Sequence, residues 1–286
     1  MILVIGATGT VGSEVVRQLV ATGERPRALV RDPATAHQRL GDQVEHVVGD
    51  LDRPETIAAA LAGVDRVFLL TTQSSRQPEW ERAVIGAAAR AGVGQLVKLS
   101  VFRANEQSPL QVARQHGQAE RVLAQSGLAA TILRPVFFMQ NLLAMVHDGA
   151  IATAAGDGRV AMVDARDIAA VAVATLTGGG HAGKTYTLTG PQALSFYQVA
   201  SVLARQTVRP LRHVRVPPDK VRVALQGRGV AAWYADDMAR LHSMLAVGYE
   251  EVVTDDIHRV TGRPPRTLAQ FAGDHAGVLT RPPAGS

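Results

Sequence analysis

The chain of 286 residues contains no cysteine. Disulfides, thiol nucleophiles and thiolate metal sites are therefore excluded, and no metal site is expected. No apolar run is long enough to span a bilayer, and the apolar stretch 168–176 reads as a buried helix. The first apolar strand begins at Met1, which leaves no room ahead of it for a signal or transit peptide. A soluble, cytoplasmic protein with no membrane partner is expected. Aromatic residues make up only 4% of the chain, against a net charge of +5. The basic residues are scattered except for Arg205, Arg209, Arg212, Arg215, Lys220, Arg222 and Arg228. That stretch carries neither stacking aromatics nor a recognition motif, so it reads as a solvated face, and nucleic acid is not an expected partner.

What the chain does have is a glycine pattern in a telling place. Gly6-Ala7-Thr8-Gly9-Thr10-Val11-Gly12 follows the apolar run Met1 to Ile5, and an amphipathic segment opens behind it. Strand, glycine turn and helix together present free backbone N–H groups and a helix N-terminus to a pyrophosphate. Gly6 permits the turn, Gly9 the approach of phosphate, and Gly12 the close packing of helix on strand. The spacing is G-x-x-G-x-x-G rather than the commoner G-x-G-x-x-G. Gly6, Thr8, Gly9, Thr10, Val11 and Gly12 are thus candidate cofactor contacts; the bland alternative is a glycine-rich turn in an ordinary α/β protein.

Strands expected at 1–5, 26–31, 44–48, 65–71, 95–100 and 128–134 alternate with helices at 12–22, 33–40, 54–61, 77–91 and 108–126. Such alternation implies a Rossmann-type, doubly wound parallel sheet that binds its ligand at the carboxyl ends of its strands. The dinucleotide-binding domain is expected over 1–150, with 160–190 packing back on it. A smaller, mainly helical substrate lobe is expected over 191–286, with a disordered tail at 281–286. Within that lobe Ser195 reads as a helix N-cap, and helices are expected near 217–226, 230–246 and 254–260.

Strand ends supply the remaining cofactor candidates. Arg31 closes the second strand and precedes Asp32; an arginine there accommodates the 2′-phosphate of NADP, so NADP is preferred and NAD left open. The alternative for Arg31 is an exposed strand-end charge. Asp50 and Leu51 close the third strand, where adenine should lie; Asp50 could equally cap a turn. Thr71, Thr72 and Gln73 close the fourth strand near the riboses, and Ser100 closes the fifth near the nicotinamide.

Several segments carry a family resemblance. They are the glycine loop, Ala28-Leu29-Val30-Arg31-Asp32, Gly49-Asp50-Leu51, His116-Gly117-Gln118-Ala119-Glu120, Leu133 to Asn141, Asp164-Ala165-Arg166-Asp167-Ile168-Ala169 and Thr261 to Thr267. On these the chain resembles the NmrA-like family of atypical short-chain dehydrogenases, which includes NADPH-dependent quinone reductases and redox-sensing regulators. Ordinary short-chain dehydrogenases use Tyr-x-x-x-Lys on the helix after the fifth strand. Here the alignment puts Val112 at the tyrosine position and His116 at the lysine position, and no tyrosine occurs in 108–126. His116 is then a candidate catalytic proton donor, or a residue that only anchors cofactor. The resemblance places Pro135, Val136 and Phe137 beside the nicotinamide, and Phe138, Asn141 and Trp233 at the substrate, with Tyr234 next to it. Core packing is an alternative for each aromatic. The implied function is NADPH-dependent reduction of a quinone or similar conjugated carbonyl, a planar small molecule. The alternative is a non-catalytic NADP(H)-binding redox sensor acting through a protein partner. Self-association into a homodimer is left open.

Overall fold

The computed structural model describes residues 1–279. Elements are numbered in chain order. The first half comprises β1 (Ile2–Ile5), α1 (Thr10–Ala21), β2 (Arg27–Val30), α2 (Pro33–Leu40), β3 (Glu45–Val48), α3 (Pro54–Ala60), β4 (Arg66–Leu69), α4 (Gln77–Arg90), β5 (Gln95–Leu99), α5 (Gln111–Ala124) and β6 (Ala129–Pro135). There follow α6 (Asn141–Met145), β7 (Val146–His147), β8 (Ala150–Thr153), β9 (Arg159–Val160), α7 (Ala165–Thr177), β10 (Lys184–Leu188), β11 (Leu194–Ser195), α8 (Phe196–Thr207) and β12 (Arg212–Arg215). The last helices are α9 (Pro218–Gly227), α10 (Ala232–Leu245), α11 (Asp256–Thr261), α12 (Leu268–Asp274) and α13 (Ala276–Leu279).

The chain divides into two compact units. The first holds Met1–Arg134 and Ala165–Thr187. Its seven-stranded sheet has the order β10-β6-β5-β4-β1-β2-β3, and β1 through β6 pair in parallel. Parallel strands covered by helices on both faces must be apolar throughout, and all four residues of β1 are buried. Leu3, Ile5, Ile57, Leu61, Val67, Leu69, Val84, Ile85 and Leu96 belong to one core cluster. The strand order reverses beside β1, which makes the gap between the ends of β1 and β4 the topological switch point, where such sheets bind ligands.

The second unit holds Pro135–Asp164 and the chain from Leu188 onward. Residues 135–150, read with the first domain from sequence, belong here, as do residues 160–164 and 188–190. This unit is mainly helical, as expected, through α6 and α8 to α13; beside the helices, β7, β8 and β12 form one small sheet, and β9 with β11 another. These strands are two to four residues long, too short to show a period in sequence. Ser195 caps α8 in a reciprocal capping box with Gln198. The core gathers Phe137, Met139, Leu142, Ile151, Phe196, Leu203, Leu245 and Phe271. The expected tail at 281–286 lies outside the described residues.

Candidate functional site

The glycine loop sits at the carboxyl end of β1. Gly6 has φ +79°, and a Cβ on it would meet the Leu70 carbonyl oxygen at 2.4 Å. A Cβ on Gly12 would lie 2.0 Å from the Gly6 oxygen. Both glycines are therefore required by the fold. Gly9 is different: its φ of −81° is ordinary, and a Cβ would make one tight contact, 3.3 Å to the Gly6 oxygen. The fold alone leaves the absence of a side chain at Gly9 unexplained, whereas an approaching phosphate explains it. Gly9 and Thr10 are exposed. Helix α1 begins at Thr10 with no side chain capping its N–H groups and no acid in its first turn, so its positive end is unneutralised. Val11 is buried under the loop.

Arg31 is exposed just past β2 and has no carboxylate partner among the described residues. Asp32 is committed elsewhere. It caps α2, accepting from the Ala34 and Thr35 backbone N–H groups at 3.0 and 3.4 Å and from the Thr35 hydroxyl. The Thr35 bonds hold its carboxyl below the usual range. These cap bonds take up most of the acceptor sites of the carboxylate and fix its direction, which makes it a weaker candidate than Arg31 for meeting the ribose. Arg39, which sequence reasoning missed, reaches back from the end of α2 and donates to the Thr8 carbonyl at 3.3 Å. Its other N–H groups stand beside the glycine loop.

At the end of β3, the Asp50 carboxylate accepts from the Asp52 N–H at 3.0 Å, the turn role that was the alternative for it. Leu51 is half-buried and packs on the core of the first unit. Beyond β4, Thr71 is buried while Thr72 and Gln73 are exposed. Ser100 donates to Glu120, whose carboxylate is held bidentately by Arg134. With its proton so committed, the Ser100 oxygen can only accept from a ligand.

The structure turns His116 away from open solvent. The ring is 3% exposed, with Nδ1 3.0 Å from Lys98 Nζ and Nε2 3.2 Å from the Gln77 amide. Lys98 Nζ and the Gln77 amide nitrogen are both donors, and a neutral imidazole accepts at only one nitrogen. The charged Lys98 takes Nδ1, which leaves the ring proton on Nε2 beside Gln77 with no hydrogen bond to its amide nitrogen. Burial and the adjacent Lys98 charge push the imidazole well below its ordinary value of 6.5. A neutral ring enclosed in the protein is poorly placed for the proton-donor role weighed from sequence. Val112, in the tyrosine position, is buried and apolar. The neighbouring Gly117 is structural, because a Cβ there would lie 2.6 Å from the Asn105 backbone.

Lys98 itself is fully buried on β5 and pairs with fully buried Glu81 of α4 at 2.8 Å. Neither residue is among the candidates named from the sequence. The available signal was a charge inside the apolar strand Gln95-Leu96-Val97-Lys98-Leu99, which demands a counter-ion.

In the second unit, Pro135, Val136 and Phe137 are all buried. Phe137 lies in the core, edge-on to Phe196 at 6.2 Å, and its N–H donates to Glu250 at 2.9 Å. Core packing, the alternative given for each aromatic, accounts for its ring. Phe138 is half-buried, and Asn141 is exposed at the start of α6. Trp233 and Tyr234 are half-buried on α10 with their rings 5.5 Å apart. Arg215 and Arg222 of the basic stretch pair with Asp157 and with Asp219 on an exposed surface. Among the described residues no cluster of three or more His, Asp or Glu side chains could hold a metal, and no helix is long and apolar enough to cross a membrane.

An open helix N-terminus at the switch point of a parallel sheet, with arginines flanking it, defines a dinucleotide-binding protein of the Rossmann type. The chain belongs to the NmrA-like family, whose sequence profile matches residues 1–269. It is 43% identical over 283 residues to an NAD(P)H azoreductase of Xenophilus azovorans, an alignment covering 98% of this chain and 99% of that one. Among solved structures it resembles the NADPH-dependent quinone oxidoreductase QOR2 of Escherichia coli in complex with NADPH, at TM-score 0.86 and 30% identity, covering 96% of this chain and 99% of that one. It also resembles the Citrobacter sp. triphenylmethane reductase complexed with NADP(H), at TM-score 0.84 and 26% identity, covering 96% and 100% of the two chains.

Proposed function

We propose that the chain is an NADPH-dependent oxidoreductase that reduces a planar conjugated acceptor, a quinone or an azo compound. The observation that carries the cofactor half is the division of labour after β2: Asp32 is spent on a helix cap while Arg31 stays free. The acceptor half rests on the relatives, named for azo, quinone and triphenylmethane chemistry.

The residues fit the cofactor. Uncapped N–H groups of residues 10–12 would hold the pyrophosphate, and Gly9 leaves room for it. Arg31 and Arg39 would hold the 2′-phosphate through charge-assisted hydrogen bonds. Thr72 and Gln73 would border the riboses, and Ser100 would accept from the carboxamide. When bound, the cofactor supplies a hydride equivalent. The chain offers no phenol at Val112, and the His116 imidazole is buried and held well below its ordinary pKa, so water is the proton source in this reading. That suits acceptors whose reduced anion is stable, and it argues against alcohol oxidation by the tyrosine route.

The test is NADPH oxidation by the purified protein with a panel of quinones, enones and azo dyes, with NADH in parallel. Turnover of at least one class, faster with NADPH, is expected. Tight NADPH binding with no turnover on any of them would replace the enzyme with the sensor reading.

A further inference from the structure

Five polar side chains from four places in the first unit meet in one buried cluster: Thr71 after β4, Gln77 and Glu81 on α4, Lys98 on β5 and His116 on α5. None is more than 6% exposed. Lys98 Nζ lies 2.9 and 2.8 Å from the two Glu81 oxygens and 3.0 Å from His116 Nδ1. The Thr71 hydroxyl donates to Glu81 at 2.9 Å, and the Gln77 amide lies 3.3 Å from Glu81. The adjacent Gln115 on α5 donates to the Ser74 carbonyl at 3.0 Å. The segment between β4 and α4 is thus tied at Thr71, Ser74 and Gln77, while Thr72 and Gln73 between the ties face solvent.

A buried ion pair adds little net stability over a well-packed apolar pair, so its presence calls for another account. This one grips the loop that reaches the switch point. We propose that Glu81, Lys98 and His116 are positioning residues that hold the loop at 71–77 ready for the cofactor, with His116 serving as the neutral acceptor that orients Lys98. This rests on the reading that Thr72 and Gln73 border the dinucleotide.

Single loss of Lys98 or Glu81 strands a buried charge and can abolish folding. The informative variant is therefore the double E81L/K98M, in which apolar side chains replace the pair and Thr71 loses its acceptor. Two readouts are taken: amide hydrogen exchange of 71–77 in the protein without cofactor, and NADPH affinity by titration. The double variant should fold, exchange faster by about tenfold across 71–77 alone, and bind NADPH about tenfold more weakly. H116N places an oxygen where Nδ1 stands and should retain wild-type protection and affinity; H116L should lose both. Wild-type protection of 71–77 in a folded double variant, or in H116L, overturns the proposal. Faster exchange with unchanged NADPH affinity overturns it too, by removing the loop from the cofactor site. If wild type binds no NADPH, the cofactor reading fails, and the exchange readout still decides whether the cluster holds the loop.

Discussion

At the scale of single residues, the site is defined by which charges are free. Arg31 and Asp32 are neighbours in sequence, yet one is exposed without a carboxylate partner among the described residues and the other is bound to the start of α2. A charge-assisted hydrogen bond to the 2′-phosphate is worth about 1.5–3 kcal/mol, which is about tenfold or more in affinity. R31A should therefore weaken NADPH binding by about tenfold or more and leave NADH nearly unchanged. R39A should act the same way and more weakly, since one N–H group of Arg39 is shared with Thr8. Equal loss for both cofactors, read by titration, would remove these arginines from cofactor selection. His116 shows the opposite lesson. Its position in a familiar sequence pattern suggested proton transfer, and its surroundings, Lys98 and Gln77 inside the protein, point to support. A proton-donor role would make H116L lose turnover at unchanged NADPH affinity; a positioning role predicts loss of affinity first.

At the scale of elements, the β1–loop–α1 unit was legible because its determinants are local. A strand buried on both faces is an unbroken apolar run, and the turn behind it needs glycine at fixed positions. The two kinds of glycine in that loop make a paired prediction. G12A forces a Cβ to 2.0 Å from a backbone oxygen and should destabilise or misfold the protein. G9A has only one 3.3 Å contact to relieve, so it should fold with a near-normal melting temperature and still lose most cofactor affinity. Near-normal NADPH binding by folded G9A would mean that phosphate does not lie there. The short strands β7, β8, β9, β11 and β12 were not legible, because pairs of two to four residues are set by partners distant in sequence. The buried cluster escaped for the same reason: residues 81, 98 and 116 meet only after α4, β5 and α5 have packed.

At the scale of the whole molecule, three buried histidines link stability to acidity. His116 in the first unit and His213 and His242 in the second are all lowered below 6.5, chiefly by burial. His242 is brought to about 4, with His213 adding to the effect, and its Nδ1 accepts from the Ala154 N–H at 3.4 Å. An unfolded histidine takes up its proton more readily than these do. Their contribution is therefore complete above pH 6.5 and lost as pH falls below it, for His242 down to about 4. For His242 the interval from 6.5 to about 4 corresponds to roughly 3 kcal/mol, at about 1.4 kcal/mol per pH unit. Melting temperature should drop steadily between pH 7 and pH 4.5, and H242N, which keeps the acceptor and removes the titration, should flatten that drop. An unchanged slope in H242N would place the acid sensitivity elsewhere.

The parallel sheet, the glycine loop and the basic strand end all converge on one ligand, and its direct titration tests the account most simply. NADPH and NADH are titrated separately into the wild-type protein in low-salt buffer and followed by calorimetry. Saturable one-site binding, with NADPH at least about tenfold tighter than NADH, is the predicted result. Equal affinities, tighter NADH, or no binding of either would contradict it.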